Sequence, residues 1–178
     1  MEGEYIGIDH QAHPAFDQIA SAKFARRQII TDILDLPTDS IQPVDLLISM
    51  TSLEHFEDDA AALDIARKTL APDSGELHLI PAEDGLRLWE THGWRQYSPA
   101  CVRELCPEAE IYRIGGAASA FVHTRCITNP NRNGVDWRAQ HPRLYRTLRT
   151  FGYLLDPLSR HQPAALYAAV RFPGGASI

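Results

Sequence analysis

Residues 45–81, which read DLLISMTSLEHFEDDAAALDIARKTLAPDSGELHLIP, constrain the fold more than any other stretch of the chain. They open with an apolar run at residues 46–48 that has the length and branching expected of a strand buried on both faces. A helix is predicted next, with Asp58 at its N-cap, because apolar residues recur at helical spacing: Ala62, Leu63, Ala66 and Leu70. A second apolar run follows at residues 77–80. Strand, helix and strand in this order predict a βαβ unit with a right-handed crossover.

The composition is that of one ordinary globular domain. A chain of 178 residues with 44% hydrophobic content can build one core, so we predict a single domain over residues 1–178. No apolar run approaches the roughly 20 residues of a membrane span, and the acidic N-terminus does not resemble a signal peptide. These features predict a cytoplasmic protein without a membrane partner. The three cysteines, Cys101, Cys106 and Cys126, lack C-x-x-C spacing, which favours reduced thiols over a metal site.

The charge is divided unevenly along the chain. Residues 1–110 hold 8 Lys and Arg against 21 Asp and Glu, whereas residues 111–178 hold 9 Arg against two Asp. The basic part either packs on the acidic part or gathers an anionic substrate or partner. Arg143, Arg146 and Arg149 stand three apart on a predicted helix, as expected of a solvated face. The acidic whole argues against a nucleic-acid partner.

Residues 45–81 resemble the segment around the fourth and fifth strands of class I S-adenosylmethionine-dependent methyltransferases of the type 11 kind. Residues 30–37, ITDILDLP, look like the family's third-strand motif, and residues 4–9, EYIGID, look like its second. The resemblance implies an α/β, Rossmann-like three-layer fold with a mostly parallel sheet and an antiparallel edge hairpin. It also implies S-adenosylmethionine as cofactor and methyl transfer to a small polar or sugar-like acceptor.

One element of the family is missing. Its first strand and the E/D-x-G-x-G-x-G loop that makes room for the methionine half of the cofactor do not occur, so the fold is expected to be truncated before the second strand. In the family's strand order, 3-2-1-4-5-7-6, that strand is central. Either its two neighbours pair directly, or another chain or segment fills the gap, as in a homo-oligomer, or an N-terminal segment of a longer protein is missing. Whether the chain alone is an active enzyme therefore stays open.

Candidate cofactor-binding residues follow the predicted strands. Asp9 ends the first strand, where an acid can bind both ribose hydroxyls or simply cap the loop. The resemblance implies the ribose role for Asp9, and contact with adenine for Asp32 and Ile33. Ser49 and Met50 occupy the bend that would run under the cofactor, although a Met there could equally fill the core.

Candidate catalytic and substrate residues lie further along. His55, with Glu54 beside it, could act as a general base or could fix its loop. His92, Trp94 and Arg95 follow a predicted strand end, so they could recognise a small-molecule substrate or pack beneath a loop.

The remaining pattern predicts the other elements in turn. Ser98 and Pro99 open a helix. Leu144, Leu148, Phe151 and Leu155 form one apolar stripe along the helix at 141–155. The remaining segments are a helix at 14–27, strands at 28–31, 110–114 and 164–172, a turn-rich loop at 129–134, and a helical insertion over 115–163.

Two other functions stay open. A non-catalytic methyltransferase-like protein could bind a partner chain through its sheet edges or its arginine-rich C-terminal region. A nicotinamide-binding Rossmann domain ranks third, because the G-x-G-x-x-G that it needs is missing.

Overall fold

The computed structural model describes residues 3–14, 16, 24–85, 88, 93–159 and 165–172, and its strands form two sheets. The strands are β1 (Gly3–Asp9), β2 (Phe24–Ile30), β3 (Val44–Met50), β4 (Leu70–Pro81), β5 (Glu110–Ile114) and β6 (Leu166–Arg171).

The smaller sheet is the parallel pair β1–β2, in which Asp9 stands opposite Ile30. The larger sheet has the order β3-β4-β6-β5, with β3 parallel to β4 and β6 antiparallel to both of its neighbours. A Rossmann-like fold with parallel strands and an antiparallel hairpin at the edge is confirmed. Strands β1 and β3 are not paired with each other, so direct pairing across the missing strand does not occur.

Helices in the described part of the chain are α1 (Asp59–Arg67), α2 (Pro99–Leu105), α3 (Ala117–His123), α4 (Asn129–Arg132), α5 (Trp137–Gln140) and α6 (Pro142–Leu155). Both expected N-caps are present. Asp58 accepts from the Ala61 N–H at 2.9 Å, and the Ser98 hydroxyl accepts from the Cys101 N–H at 3.2 Å. The segment after Gly116, whose pattern fitted helix or strand, is helical, and a π-helical turn at Thr124–Thr128 continues it.

Three expected boundaries were wrong. The helix expected over 14–27 does not reach its end, because Phe24 to Arg27 belong to β2 and pair with β1; residues 17–23 lie outside the described residues. Leu70 starts β4 instead of ending α1, since the Thr69 hydroxyl donates to the Ala66 carbonyl at 2.7 Å and closes the helix earlier. The loop expected at 129–134 holds the short helix α4, because Pro130 fits a first helical turn.

The core lies on one face of the larger sheet, under α1 and α2. Its buried members come from both sheet and helices: Leu63, Ile80, Val102, Tyr167 and Ala169. Between β5 and β6 the chain runs through α3–α6; that 115–163 is an insertion into a single domain stays a prediction. Among the described residues, no helix combines the length and the apolar character needed to cross a membrane. Nor does this part of the chain gather His, Cys, Asp and Glu as a metal site requires.

Candidate functional site

The carboxyl ends of β1 and β2 bring two candidate acids to one edge of the smaller sheet. Asp9 is the last residue of β1, and the Thr31 N–H donates to its carbonyl at 2.9 Å, which ties the end of β2 to it. Asp32 follows directly. Its Oδ1 accepts from the Leu34 N–H at 2.9 Å, as the cap of a 3-10 turn, and Asp9 Oδ1 accepts from the Gln11 N–H at 3.1 Å. Because adjacent parallel strands end at the same edge, the two carboxylates share one rim.

Ser49 and Met50 lie at the carboxyl end of β3. Met50 is 65% exposed, which removes core filling as its role. The chain then turns at Thr51, whose φ of 48° is left-handed and whose N–H donates to the Leu79 carbonyl at 2.9 Å. Strand β3 therefore runs through Ser49 and Met50, which were expected to lie in the bend, and the bend itself begins at Thr51. The Met50 side chain extends into solvent.

Ser49 heads a buried polar chain. Its hydroxyl lies 2.9 Å from His78 Nδ1, and His78 Nε2 lies 3.0 Å from Glu76 Oε2. The Glu76 carboxylate also accepts from Arg67 at 3.0 Å and from Arg171 Nε at 3.0 Å. Burial raises the pKa of Glu76, but hydrogen bonds from His78, Arg67 and Arg171 outweigh it and lower that pKa to about 2. A neutral His78 that donates its Nε2–H to the ionised Glu76 accepts the Ser49 hydroxyl at Nδ1.

Sequence reasoning missed this cluster. The apolar run expected at 77–80 contains His78, and Glu76 lies two residues before His78. Two polar residues at alternate positions of a strand share one face, and that spacing was the available signal.

Glu54 and His55 lie on a 3-10 turn, Leu53–His55, which precedes α1 in the sequence. Glu54 is wholly buried, while the side chain of His55 is half exposed. His55 Nε2 is 3.9 Å from Glu54 Oε1.

Residues 93–97 hold this turn in place from outside. The Trp94 N–H donates to the Glu54 carbonyl at 2.6 Å. Gly93 permits this approach: its φ is +69°, and a Cβ there would lie 2.4 Å from the same carbonyl oxygen. The close packing of two backbones therefore depends on glycine at this position.

Asp59 also fixes residues 93–97, through hydrogen bonds from Arg95 and Tyr97. Arg95 donates to its Oδ1 at 3.0 Å and also to the Glu57 carbonyl, and the Tyr97 hydroxyl donates to its Oδ2 at 2.6 Å. Burial, followed by the hydrogen bond to Asp59, raises the pKa of Tyr97 far above its ordinary value. Arg95 thus pins a loop in this structure, and its substrate role stays a prediction. Trp94 is largely exposed, and His92 lies outside the described residues.

A cavity of about 100 Å³, which sequence reasoning did not anticipate, lies between α3, α6 and the ends of β5 and β6. Its walls include Ile114, Leu166, Tyr145 and Arg149. His123 also lines it, and burial, followed by the charge of Arg138, lowers the pKa of that imidazole.

Comparison with known proteins gives a likeness of structure only. No protein-family model matches the chain, and no curated protein matches it. A solved mycolic acid cyclopropane synthase, in complex with SAH and CTAB, is 14% identical with a TM-score of 0.53, over 93% of this chain and 68% of that one.

Two further structures agree with it. The complex of the Haloferax volcanii Trm112 methyltransferase activator with a methyltransferase gives 18% identity and a TM-score of 0.54, over 94% of this chain and 71% of that one. A SAM-dependent methyltransferase from Archaeoglobus fulgidus gives 13% identity and a TM-score of 0.53, over 93% and 74%. At these identities the likeness is one of fold, and the chain has the Rossmann-like fold of SAM-dependent methyltransferases.

Proposed function

We propose that the chain binds S-adenosylmethionine and helps to transfer the methyl group of this cofactor to a small polar or sugar-like acceptor. One observation carries the proposal: in a methyltransferase-like fold, the parallel strands β1 and β2 end at Asp9 and just before Asp32, and β3 ends at Met50. Ligands bind at such strand ends in open α/β sheets.

The residues present fit the nucleoside half of this cofactor. Asp9 offers a carboxylate to the two ribose hydroxyls, and its side chain is 41% exposed. Asp32 faces the adenine amine in this assignment, with Ile33 and the exposed Met50 against the ring. The glycine-rich loop that would take the methionine half does not occur in residues 1–178.

When bound, the cofactor supplies an electrophilic methyl group. The acceptor hydroxyl or amine must lose a proton as it attacks, and the half-exposed His55 is the base that takes it. Glu54, 3.9 Å away and excluded from water, stabilises the imidazolium that forms. Residues 93–97 keep this turn rigid through the hydrogen bond from Trp94 to Glu54.

Calorimetric titration with S-adenosylhomocysteine tests the proposal. Asp9→Asn is expected to weaken binding about tenfold to a hundredfold, because a hydrogen bond to a charged group contributes about 1.5–3 kcal/mol. Asp39→Asn is the control: it removes the same charge from a 3-10 turn elsewhere and should leave binding unchanged. Absence of heat from the unaltered chain at millimolar ligand would falsify cofactor binding by this chain alone.

A second candidate is a non-catalytic protein that binds a partner through its sheet edges. It is favoured by β1 and β3, each of which is paired along one edge only among the residues that the structure describes. An added strand would satisfy the backbone groups of the other edge. Hydrogen exchange in cell extract distinguishes the candidates: slowed exchange at β1 and β3 supports a partner strand, and unchanged exchange speaks against one.

A further inference from the structure

The cavity between α3, α6 and the larger sheet, which we call the α3–α6 cavity, lies at one particular edge of that sheet. Leu166, the first residue of β6, lines the cavity and pairs with both Pro81 and Ile114. Because Pro81 ends β4 and Ile114 ends β5, the cavity lies at the carboxyl ends of these two strands. Open α/β sheets bind their ligands at such strand ends.

The walls of the α3–α6 cavity are tied together by contacts between segments that are far apart in sequence. Gly152 of α6 lies so close to α3 that an added Cβ would be 3.1 Å from Ser119 Cα. The Ser119 N–H also donates to Asp156 Oδ1, just after α6, at 2.9 Å. At the sheet, Gly115 has a φ of +87°, and an added Cβ there would be 3.1 Å from Ala165 Cβ. The two helices and the two strand ends therefore enclose the cavity as one connected frame.

The lining of the α3–α6 cavity has an apolar and a polar part. The apolar part comes mainly from the sheet and α3, through Leu88, Ile114, Ala120, Val122 and Leu166. The polar part comes mainly from α6, through Tyr145, Arg149 and Tyr153. These three residues stand four apart, so they lie on one side of the helix. A ligand in the cavity would therefore meet apolar surface and a cation together.

Arg149 supplies a positive charge that nothing in the cavity balances. Among the described residues that line the cavity there is no acid, and Arg149 forms no ion pair within the described part of the chain. Burial, followed by the charge of Arg138, lowers the pKa of His123, so that imidazole is neutral at neutral pH. A guanidinium beside apolar surface, without a carboxylate of its own, favours an anionic ligand, and its planar fork suits a carboxylate best.

The π-helical turn Thr124–Thr128 is a second, independent mark of this place. Its last residue, Thr128, donates its hydroxyl proton to the Leu88 carbonyl, and His123 Nδ1 lies 3.0 Å from the same hydroxyl oxygen. Both Leu88 and His123 line the cavity, so the turn fixes two of the lining residues relative to each other. Turns of this kind are rare and occur frequently at functional sites.

We propose that the α3–α6 cavity binds a small carboxylate with a short apolar chain, whose carboxylate contacts Arg149 and whose chain lies against Ala120 and Leu166. Size supports this class of ligand: an apolar cavity of about 150 Å³ takes benzene, so one of about 100 Å³ takes a chain of about three or four carbons. The inference is independent of cofactor binding, because Asp9, Asp32 and His55 do not line the cavity.

Titration of the isotope-labelled chain with butyrate, followed by NMR, tests the proposal. Butyrate is expected to shift the backbone amide signals of Ser119 and Ala120, with a dissociation constant in the millimolar range or below. Butyramide has the same shape without the charge, and phosphate has the charge without the chain, so each should bind about tenfold more weakly or not at all. Signals that do not move at tens of millimolar butyrate overturn the inference. Binding of butyramide or phosphate as tight as that of butyrate overturns it too.

Variants separate the two parts of the site. Arg149→Gln should weaken butyrate binding at least about tenfold, because it removes a charge-assisted hydrogen bond, and Arg149→Lys should restore part of the affinity. Arg143→Gln is the matched control: it removes the same charge from an exposed site of α6 outside the cavity and should leave binding unchanged. Ala120→Leu should abolish binding, since the larger side chain occupies the space for the ligand's chain and Leu retains helix propensity. Equal effects of Arg149→Gln and Arg143→Gln would show attraction by the general charge of α6 and overturn the inference.

Discussion

Glu76 is a buried carboxylate that is held by the guanidinium groups of Arg67 and Arg171 and by His78. Removing one partner of such a cluster leaves the others desolvated and uncompensated. We expect Glu76→Gln to lower the free energy of unfolding by about 3 kcal/mol. Urea unfolding followed by tryptophan fluorescence measures this. Glu83→Gln, on an exposed turn, is the control and should change stability little.

The same carboxylate predicts how stability depends on pH. Its pKa is lowered from 4.5 to about 2 in the folded chain, so the folded state holds the proton less readily than the unfolded state. The contribution is therefore present above about pH 4.5, the unfolded value, and is lost as the pH falls toward 2. Unfolding measured from about pH 7 down to about pH 2 should show this loss, and Glu76→Gln should flatten it. Equal pH profiles for the two proteins would contradict the assignment.

The places of the candidate cofactor-binding residues in the fold were predictable from the sequence, because apolar runs reveal where strands stop. Asp9, Ser49 and Met50 end strands and Asp32 closely follows one, while their cofactor-binding roles stay predictions. The contacts of Arg95 and Glu76 could not be predicted from the sequence. Both depend on partners distant in sequence, Asp59 and Arg171 among them, and no local pattern encodes such pairs.

At the scale of elements, the junction between residues 93–97 and the Leu53–His55 turn depends on one glycine. Gly93 and Gly134 share a φ of +69°, but only Gly93 has a neighbour where a Cβ would stand. Gly134→Ala should cost about 1 kcal/mol for the left-handed backbone. Gly93→Ala should cost about 2 kcal/mol more, because the Glu54 carbonyl must also move. Urea unfolding of the two variants gives both values, and similar losses would show that the contact contributes nothing.

Elements were predictable where local chemistry and pairing agree. The strand at 110–114 and the caps at Asp58 and Ser98 were confirmed because turn and cap residues mark their limits. The helix expected over 14–27 ran too far. Phe24, its last apolar residue, suits a strand as well as a helix, and only pairing with β1 decides between the two.

At the scale of the molecule, the two sheets differ in their number of strands and in how far the buried core stabilises them. The β1–β2 pair is a two-stranded sheet, whereas β3, β4, β6 and β5 share a buried core. Two-stranded sheets are marginal by themselves. Amides of β1 and β2 are therefore expected to exchange hydrogen by local opening, at least tenfold faster than those of β4 and β6. Mass spectrometry of exchanged peptides measures this, and uniform protection would refute it.

Because the strands form two separate sheets, a bound nucleoside could hold the two sheets together. Asp9 ends a strand of the smaller sheet and Asp32 follows one, whereas Met50 ends a strand of the larger sheet. A ligand that contacts all three residues would therefore connect two sheets that are not hydrogen-bonded to each other. Part of its binding free energy then goes into ordering the protein, so the measured affinity is lower than the contacts alone would give, and thermal stability rises with ligand concentration. Proteases would cut the empty form first, between β1 and β3.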